Sequence, residues 1–331
     1  MSAKRWPIGC LLAALFMEAS LIPSTVSGQG GETAGMITEI RNGRGRVEVR
    51  AAGGADWRAA GFLQAVRAGD MVRAGGDAWA VIVWSGGRGS VKVDAAASPF
   101  TVPAPQAAEG KLQKVRTLLD ASFNYMTSSA KETPQVLLTT RGPRPPIVLG
   151  PRNGPVLPGS LTFEWLGSRF SRYTIKINGP SGVVLERPGL TGGRFEYPAD
   201  APSLTPGVRY TFQVQSSGHP PQGAWFEVLD PSRAGTVRQD LAELEQALGS
   251  AVSPNSMAAL RATLLAKEGL IHDARLILVA ALTRDPDEPT LHQLLGNVYT
   301  RAGLPEQAAE SYDEAQFLMT NVARSPAPGG R

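Results

Sequence analysis

The sequence has little from which to build a redox, metal or nucleophilic centre. It contains one cysteine, Cys10, and three histidines, His219, His272 and His292. No histidine stands at a metal-ligand spacing or in a motif that activates a nucleophile, so no cofactor is expected. The charge balance is equally uninformative. With 33 Lys and Arg against 29 Asp and Glu, a formal charge of +4 is too small to predict nucleic-acid binding. Phosphate-binding loops are absent too: Asn42-Gly43-Arg44-Gly45 and Gly86-Gly87-Arg88-Gly89 lack the strand, glycine spacing and helix that cradle a phosphate and read as hairpin turns. Asp285-Pro286-Asp287-Glu288 lacks the spaced oxygen ligands of a calcium loop. It is expected to end one helix and charge the start of the next.

The N-terminus has Lys4 and Arg5, the apolar stretch Ile8 to Phe16, then Pro23 and the small residues Ser24, Ser27 and Gly28. That order is a signal peptide, with cleavage expected after Gly28. Nine apolar residues are too few to cross a bilayer comfortably, and Cys10 stands too early to be a lipoprotein cysteine. The exported chain, periplasmic or secreted, has no disulfide and no stable transmembrane span. Charge is uneven along it: residues 29–150 carry 15 basic and 10 acidic side chains, and residues 231–331 carry 9 and 12.

Short β-branched runs punctuated by glycine fill residues 34–105: Met36-Ile37-Thr38, Arg46 to Val49, Trp79 to Val83 and Ser90 to Val93. These are short antiparallel strands, with Gly69-Asp70 as a tight turn into another. Arg41, Arg44, Arg46, Arg50 and Arg58 gather here and could meet phosphate or carboxylate, although Glu48 shares a strand face with Arg46. Residues 106–141 are a linker whose Leu112, Val115, Leu118, Leu119, Phe123 and Met126 form one apolar stripe of a helix. That stripe should pack against a neighbouring domain. Residues 142–230 give a second run of strands, with Phe163 and Trp165, and Tyr210, Phe212 and Val214, alternating with polar residues. From Pro231 the pattern becomes helical, at Val237–Leu248, Met257–Lys267, Ile271–Leu282, Leu291–Arg301 and Glu306–Met319. Gly269, Ala274, Leu278 and Ala281 recur 34 residues later as Gly303, Ala308, Tyr312 and Ala315, the period of a stacked helical hairpin. Residues 321–331 read as a disordered tail.

Three resemblances follow. Residues Leu63 to Val93, with Ala68-Gly69-Asp70 and Gly75-Gly76, resemble the FecR-like domain, a small β module of bacterial envelope proteins. Leu204, Pro206, Gly207 and Tyr210, with Trp165 upstream, resemble an immunoglobulin or fibronectin type III sandwich. Gly296, Tyr299, Gly303, Ala308, Tyr312 and Ala315 resemble the tetratricopeptide repeat, closed ahead by Pro286. About two such repeats occupy residues 233–320, with the helix from Val237 as an added layer. The implied fold class is multidomain, mainly β then α.

In tetratricopeptide repeats the first helix of each hairpin lines the inner wall. The resemblance therefore implies a groove of Thr290, Gln293, Asn297, Thr300 and Arg301, with Ser256, Ala259, Thr263 and Lys267 from the earlier repeat. Asn297 and Arg301, four apart on one helix face, suit a peptide backbone or a carboxylate. Phe317, Leu318 and Met319 cannot all face one core, so Phe317 and Met319 are a second candidate contact. The expected function is a non-enzymatic scaffold for envelope proteins. The alternative is a periplasmic sensory or ligand-binding protein whose FecR-like domain recognises cell-wall glycan or regulates a receptor.

Overall fold

The computed structural model describes residues 32–105, 111–129 and 145–321. The expected signal segment through Gly28, Lys131 to Arg144 and the expected tail beyond Asn321 lie outside the described residues. The first strands are β1 (Thr33–Arg41), β2 (Val47–Arg50), β3 (Arg58–Ala59), β4 (Ala65–Arg67), β5 (Met71–Ala74), β6 (Trp79–Trp84), β7 (Ser90–Val93) and β8 (Phe100–Thr101). They form two four-stranded antiparallel sheets, ordered β4-β1-β6-β7 and β3-β2-β5-β8. Val47 and Val49 face a common core with Ile37, Ile40, Val72 and Ile82, while Glu48 and Arg50 point away, as period-two alternation requires. The Gly69-Asp70 turn is locked by the Asp70 carboxylate, which accepts from Arg67 N at 2.8 Å and Ala52 N at 2.9 Å. The Gly86–Gly89 segment joins the paired strands β6 and β7 as a hairpin. Asn42–Gly45, expected to do the same, instead carries the chain from one sheet to the other.

Helix α1 (Lys111–Ser129) follows, then β9 (Ile147–Gly150), β10 (Gly154–Val156), β11 (Thr162–Leu166), β12 (Tyr173–Gly179), β13 (Gly182–Leu190), β14 (Arg194–Glu196), β15 (Arg209–Ser216) and β16 (Gln222–Val228). These eight strands make a five-stranded sheet, β10-β16-β15-β12-β13, and a three-stranded one, β14-β11-β9. Between the sheets Phe163, Trp165, Phe212 and Phe226 are fully buried, with the Phe163 and Phe212 rings 4.7 Å apart. The turn before β15 is held by Thr205 N donating to the Tyr210 hydroxyl at 2.9 Å.

The remaining helices are α2 (Pro231–Leu248), α3 (Pro254–Lys267), α4 (Ile271–Arg284), α5 (Pro289–Ala302) and α6 (Pro305–Asn321). Proline opens α2, α3 and α5 behind the side-chain caps Asp230, Ser253 and Glu288, where a missing N–H costs nothing. The 34-residue echo is structural. Gly269 and Gly303 end α3 and α5 with φ of 81° and 72°, a conformation that glycine adopts without penalty, and Ala274, Ala281, Ala308 and Ala315 are all fully buried. At Gly296 an added Cβ would run into the Tyr312 ring. Gly235, on the exposed side of α2, has nothing near such an atom. Alanine at these two positions should therefore act with opposite sign. Gly235→Ala raises stability by up to about 1 kcal/mol through helix propensity, while Gly296→Ala lowers it by about 1–3 kcal/mol through overpacking. Thermal melts of both variants check this.

The described residues pack as one unit around three hydrophobic cores. The largest core joins Val115, Leu119, Phe123 and Met126 of α1 to α2–α6 and takes in Met36, Leu63 and Val83 from the first β region. Of the α1 stripe, Val115, Leu118, Leu119, Phe123 and Met126 are buried, all but Leu118 as part of the core of the helices that follow.

Candidate functional site

The wall expected to be an open groove is filled. Met126 and Tyr125 of α1 lie over Ala262, Ala266, Leu294 and Val298, leaving a void of about 10 Å³, the lower limit for one water. Farther along the wall, β1 packs on α3 and α5. The Thr38 and Ser256 hydroxyls are 2.9 Å apart there. Ser256, Ala259, Thr263 and Thr290 are consequently buried.

This corrects the expected roles of the groove residues. Asn297 is only 4% exposed; its Oδ1 accepts from the Tyr312 hydroxyl at 2.8 Å. Thr300 Oγ1 donates to Gly296 O at 3.0 Å and lies 3.1 Å from the same hydroxyl. Both hold α5 against α6. Arg301 stands over the Tyr125 ring at 4.4 Å and so secures α1 in the wall. Gln293 is half-buried, and exposed Lys267 pairs with Glu268 at 2.9 Å. The terminal triplet divides three ways: Leu318 is buried, Met319 packs on the first β region with its carbonyl accepting from Asn42 Nδ2 at 3.1 Å, and Phe317 remains 55% exposed. Of the candidate contact residues, Phe317 is the large apolar one presented to solvent.

The residues missed in the sequence lie where the helices meet the β regions. In β1 the register against β6 shifts between Ile37 and Glu39. This bulge keeps Ile37 and Ile40 in the β core while turning Thr38 and Glu39 to the helices, the kind of re-aiming a bulge produces. Glu39 accepts from the hydroxyls of Ser253 and Ser256. Beside it, fully buried Glu288 caps α5 by accepting from Thr290 N at 3.3 Å, and it receives Ile40 N at 3.5 Å. Arg41 is the cation at this junction. It reaches Asp285 at 3.2 Å and Glu288 at 3.8 Å. Burial, reinforced by the charge of Glu39, pushes the Glu288 carboxyl up to about 8.

A second junction joins α4 to the sandwich. Arg275, 3% exposed, pairs with Glu164 of β11. His272 is buried against Gly150 with neither ring nitrogen hydrogen-bonded, and burial depresses it to about 4. Asp273 accepts from Leu157 N at 3.2 Å, and burial lifts it to about 6. Arg152 Nε donates to Ala302 O at 2.8 Å, closing the end of α5. Sequence periodicity carried no sign of these pairs, because each partner comes from a different region of the chain.

The arginine cluster of the first β region is dispersed. Arg41 serves the junction, Arg44 pairs with Asp77 at 3.6 Å, and Arg50 joins Arg73 over the Trp57 ring, at 4.9 and 4.3 Å. Arg46 and Arg58 are exposed. His219 is half-buried, and His292 Nε2 lies 2.7 Å from Pro286 O. Among the described residues no group of three His, Cys, Asp or Glu is placed to hold a metal ion, and no helix is long and apolar enough to cross a membrane. Two clefts are described, one of about 180 Å³ beside Trp84 and Arg88 and one of about 380 Å³ between Leu157 and Leu204, the second reaching the α4 junction through Leu157. No protein-family model matches the chain, and no curated protein matches it significantly.

Proposed function

We propose that the chain is an exported, non-enzymatic protein of the bacterial cell envelope that acts as a docking scaffold. In this reading residues 34–105 are a FecR-like module, residues 142–230 an immunoglobulin or fibronectin type III-like sandwich, and residues 233–320 tetratricopeptide-type hairpins. The observation that carries it is the pair of stacked hairpins with matching glycine turns at Gly269 and Gly303 and matching buried alanines, an architecture that presents side chains to partner proteins. Because α1 and β1 fill the inner wall, the contact surface is the outer one, with Phe317 as its apolar anchor.

Cross-linked capture from the native envelope tests the proposal, with the protein expressed behind its own signal. A defined protein should co-purify with wild type and be lost with Phe317→Asp, while Asn297→Ala, which changes an inward side chain, retains it. Capture of nothing above background, or capture indifferent to Phe317, would count against docking. The second reading, recognition of a cell-wall glycan by the FecR-like region, draws support from the cleft beside Trp84, where an indole and the Arg88 guanidinium adjoin Pro103 and Pro105. Saccharide pull-down lost on Trp84→Ala favours that reading instead.

A further inference from the structure

The most exposed large apolar side chain described is on neither the helices nor the clefts. Phe170, 85% exposed, sits in the turn between β11 and β12, with Leu166, 43% exposed, at the base of the same turn. A Phe held this far into water is uncommon enough to need a cause.

The turn is built to hold it there. Ser168 Oγ accepts from Phe170 N at 3.2 Å, and Ser168 O accepts both from Ser171 N at 3.1 Å and from the Tyr173 hydroxyl at 2.8 Å. Tyr173 is itself buried edge-on against Trp165, with ring centroids 5.6 Å apart. The turn is thus tied through one tyrosine to the sandwich core, and its apolar tip is directed outward by ordered hydrogen bonds.

Positive charge surrounds the tip. Arg169 lies over the Phe170 ring at 4.8 Å, and Arg172 donates to Gly189 O at 3.3 Å. From Leu166 to Glu196 there are five basic residues and two acidic ones; Glu186 pairs with Lys176 and Glu196 with Arg194, each at 3.1 Å, which leaves Arg169, Arg172 and Arg187 as the excess positive charge. Strand register gathers the neighbouring loops at the same end, since Tyr173 stands opposite both Leu190 and Ser216. The turns at 191–193 and 217–221 therefore flank 167–172.

We propose that this end of the sandwich docks on the headgroup layer of an anionic lipid bilayer, with Phe170 inserted at the interface and Arg169 and Arg172 on lipid phosphates. An aromatic ring between guanidiniums suits that boundary, where rings partition and cations are attracted. Two exposed apolar residues are too small a patch for a stable protein interface, which buries about 1,600 Å², but enough to seat a protein already drawn by charge. The site is independent of the helical surface assigned to protein docking.

Co-sedimentation of the chain with vesicles tests it. Phosphatidylcholine vesicles containing phosphatidylglycerol should bind the protein, binding should fall as salt rises, and phosphatidylcholine alone should not bind. Each of Arg169→Ala and Arg172→Ala lowers the partition about fivefold, corresponding to about 1 kcal/mol per arginine. Phe170→Ser lowers it by a similar factor, and Arg169→Glu with Arg172→Glu abolishes it. Arg44→Glu, which removes an exposed charge elsewhere, leaves it unchanged. All these side chains lie at the surface, so unchanged melting temperatures separate binding from folding. Equal binding to neutral vesicles, binding indifferent to residues 169–172, or retention on an acidic polysaccharide without vesicle binding would overturn the lipid assignment.

Discussion

Replacing Arg275 with Met should lower the free energy of unfolding by about 3–5 kcal/mol, the usual cost of stranding one member of a buried ion pair. Arg275 is 3% exposed and the Glu164 side chain 17% exposed, so water replaces the removed guanidinium only in part. Burial lowers the Arg275 pKa and Tyr299 acts against that fall, so the guanidinium is held in place against a desolvation penalty. The pair joins α4 to β11, and its loss loosens the contact between helices and sandwich. The decisive comparison is the double variant Arg275→Met with Glu164→Leu. Removing both charges removes the penalty and the attraction together, and replacement of a buried pair by apolar groups is often nearly neutral. Urea unfolding of the two single variants and the double variant gives the coupling energy directly. A cost below about 1 kcal/mol for Arg275→Met would mean that water reaches Glu164, contrary to the closed junction described here.

The elements were largely legible in the sequence and the joints between them were not. Strands such as Trp79–Trp84 and Arg209–Ser216 announce themselves by β-branched and aromatic alternation, and the hairpins by Gly269 and Gly303, because these signals are local. β10 was missed because Gly154-Pro155-Val156 reads as a turn, and its pairing comes from a parallel neighbour, β16. The groove expectation failed for a related reason. Helical spacing puts Asn297 and Arg301 on one face, but only tertiary packing decides what each meets: Asn297 is buried against Tyr312 of α6, while Arg301 stays exposed beside the Tyr125 ring of α1. Glu39 was hidden by a bulge that alternation cannot reveal. Glu288 looked like an exposed helix-capping charge, since the strand that buries it lies 248 residues earlier.

Stability should fall as pH rises from about 4.5 to about 8, and Glu288→Gln should remove most of that fall. The folded carboxyl titrates at about 8 against an ordinary value of 4.5. Within this window the unfolded chain has released the proton while the native state keeps it, so each unit of pH costs the fold about 1.4 kcal/mol. The stabilisation from the neutral carboxyl is complete below the ordinary value and gone above the folded one. Glutamine keeps an oxygen for Thr290 N without the charge, and near pH 7 it should raise stability on the order of 3 kcal/mol. Asp273, lifted from 3.8 to about 6, adds a fall of the same sign at lower pH. His272 works in the opposite sense: its pKa drops from 6.5 to about 4, so its stabilisation is present above 6.5 and lost as the pH falls towards 4. Between about 4.5 and 6 the histidine offsets one of the two carboxyls and leaves the slope of the other, between about 6 and 6.5 it cancels Glu288 and the profile levels, and above 6.5 Glu288 acts alone. Urea unfolding from pH 4 to 9 should therefore show a decline up to about pH 6 and a second of similar slope between about 6.5 and 8, and the Glu288→Gln profile should be flat in the second interval. If both proteins lose stability in parallel across that interval, Glu288 is ionised in the folded state and Arg41 neutralises it more fully than the 3.8 Å separation implies.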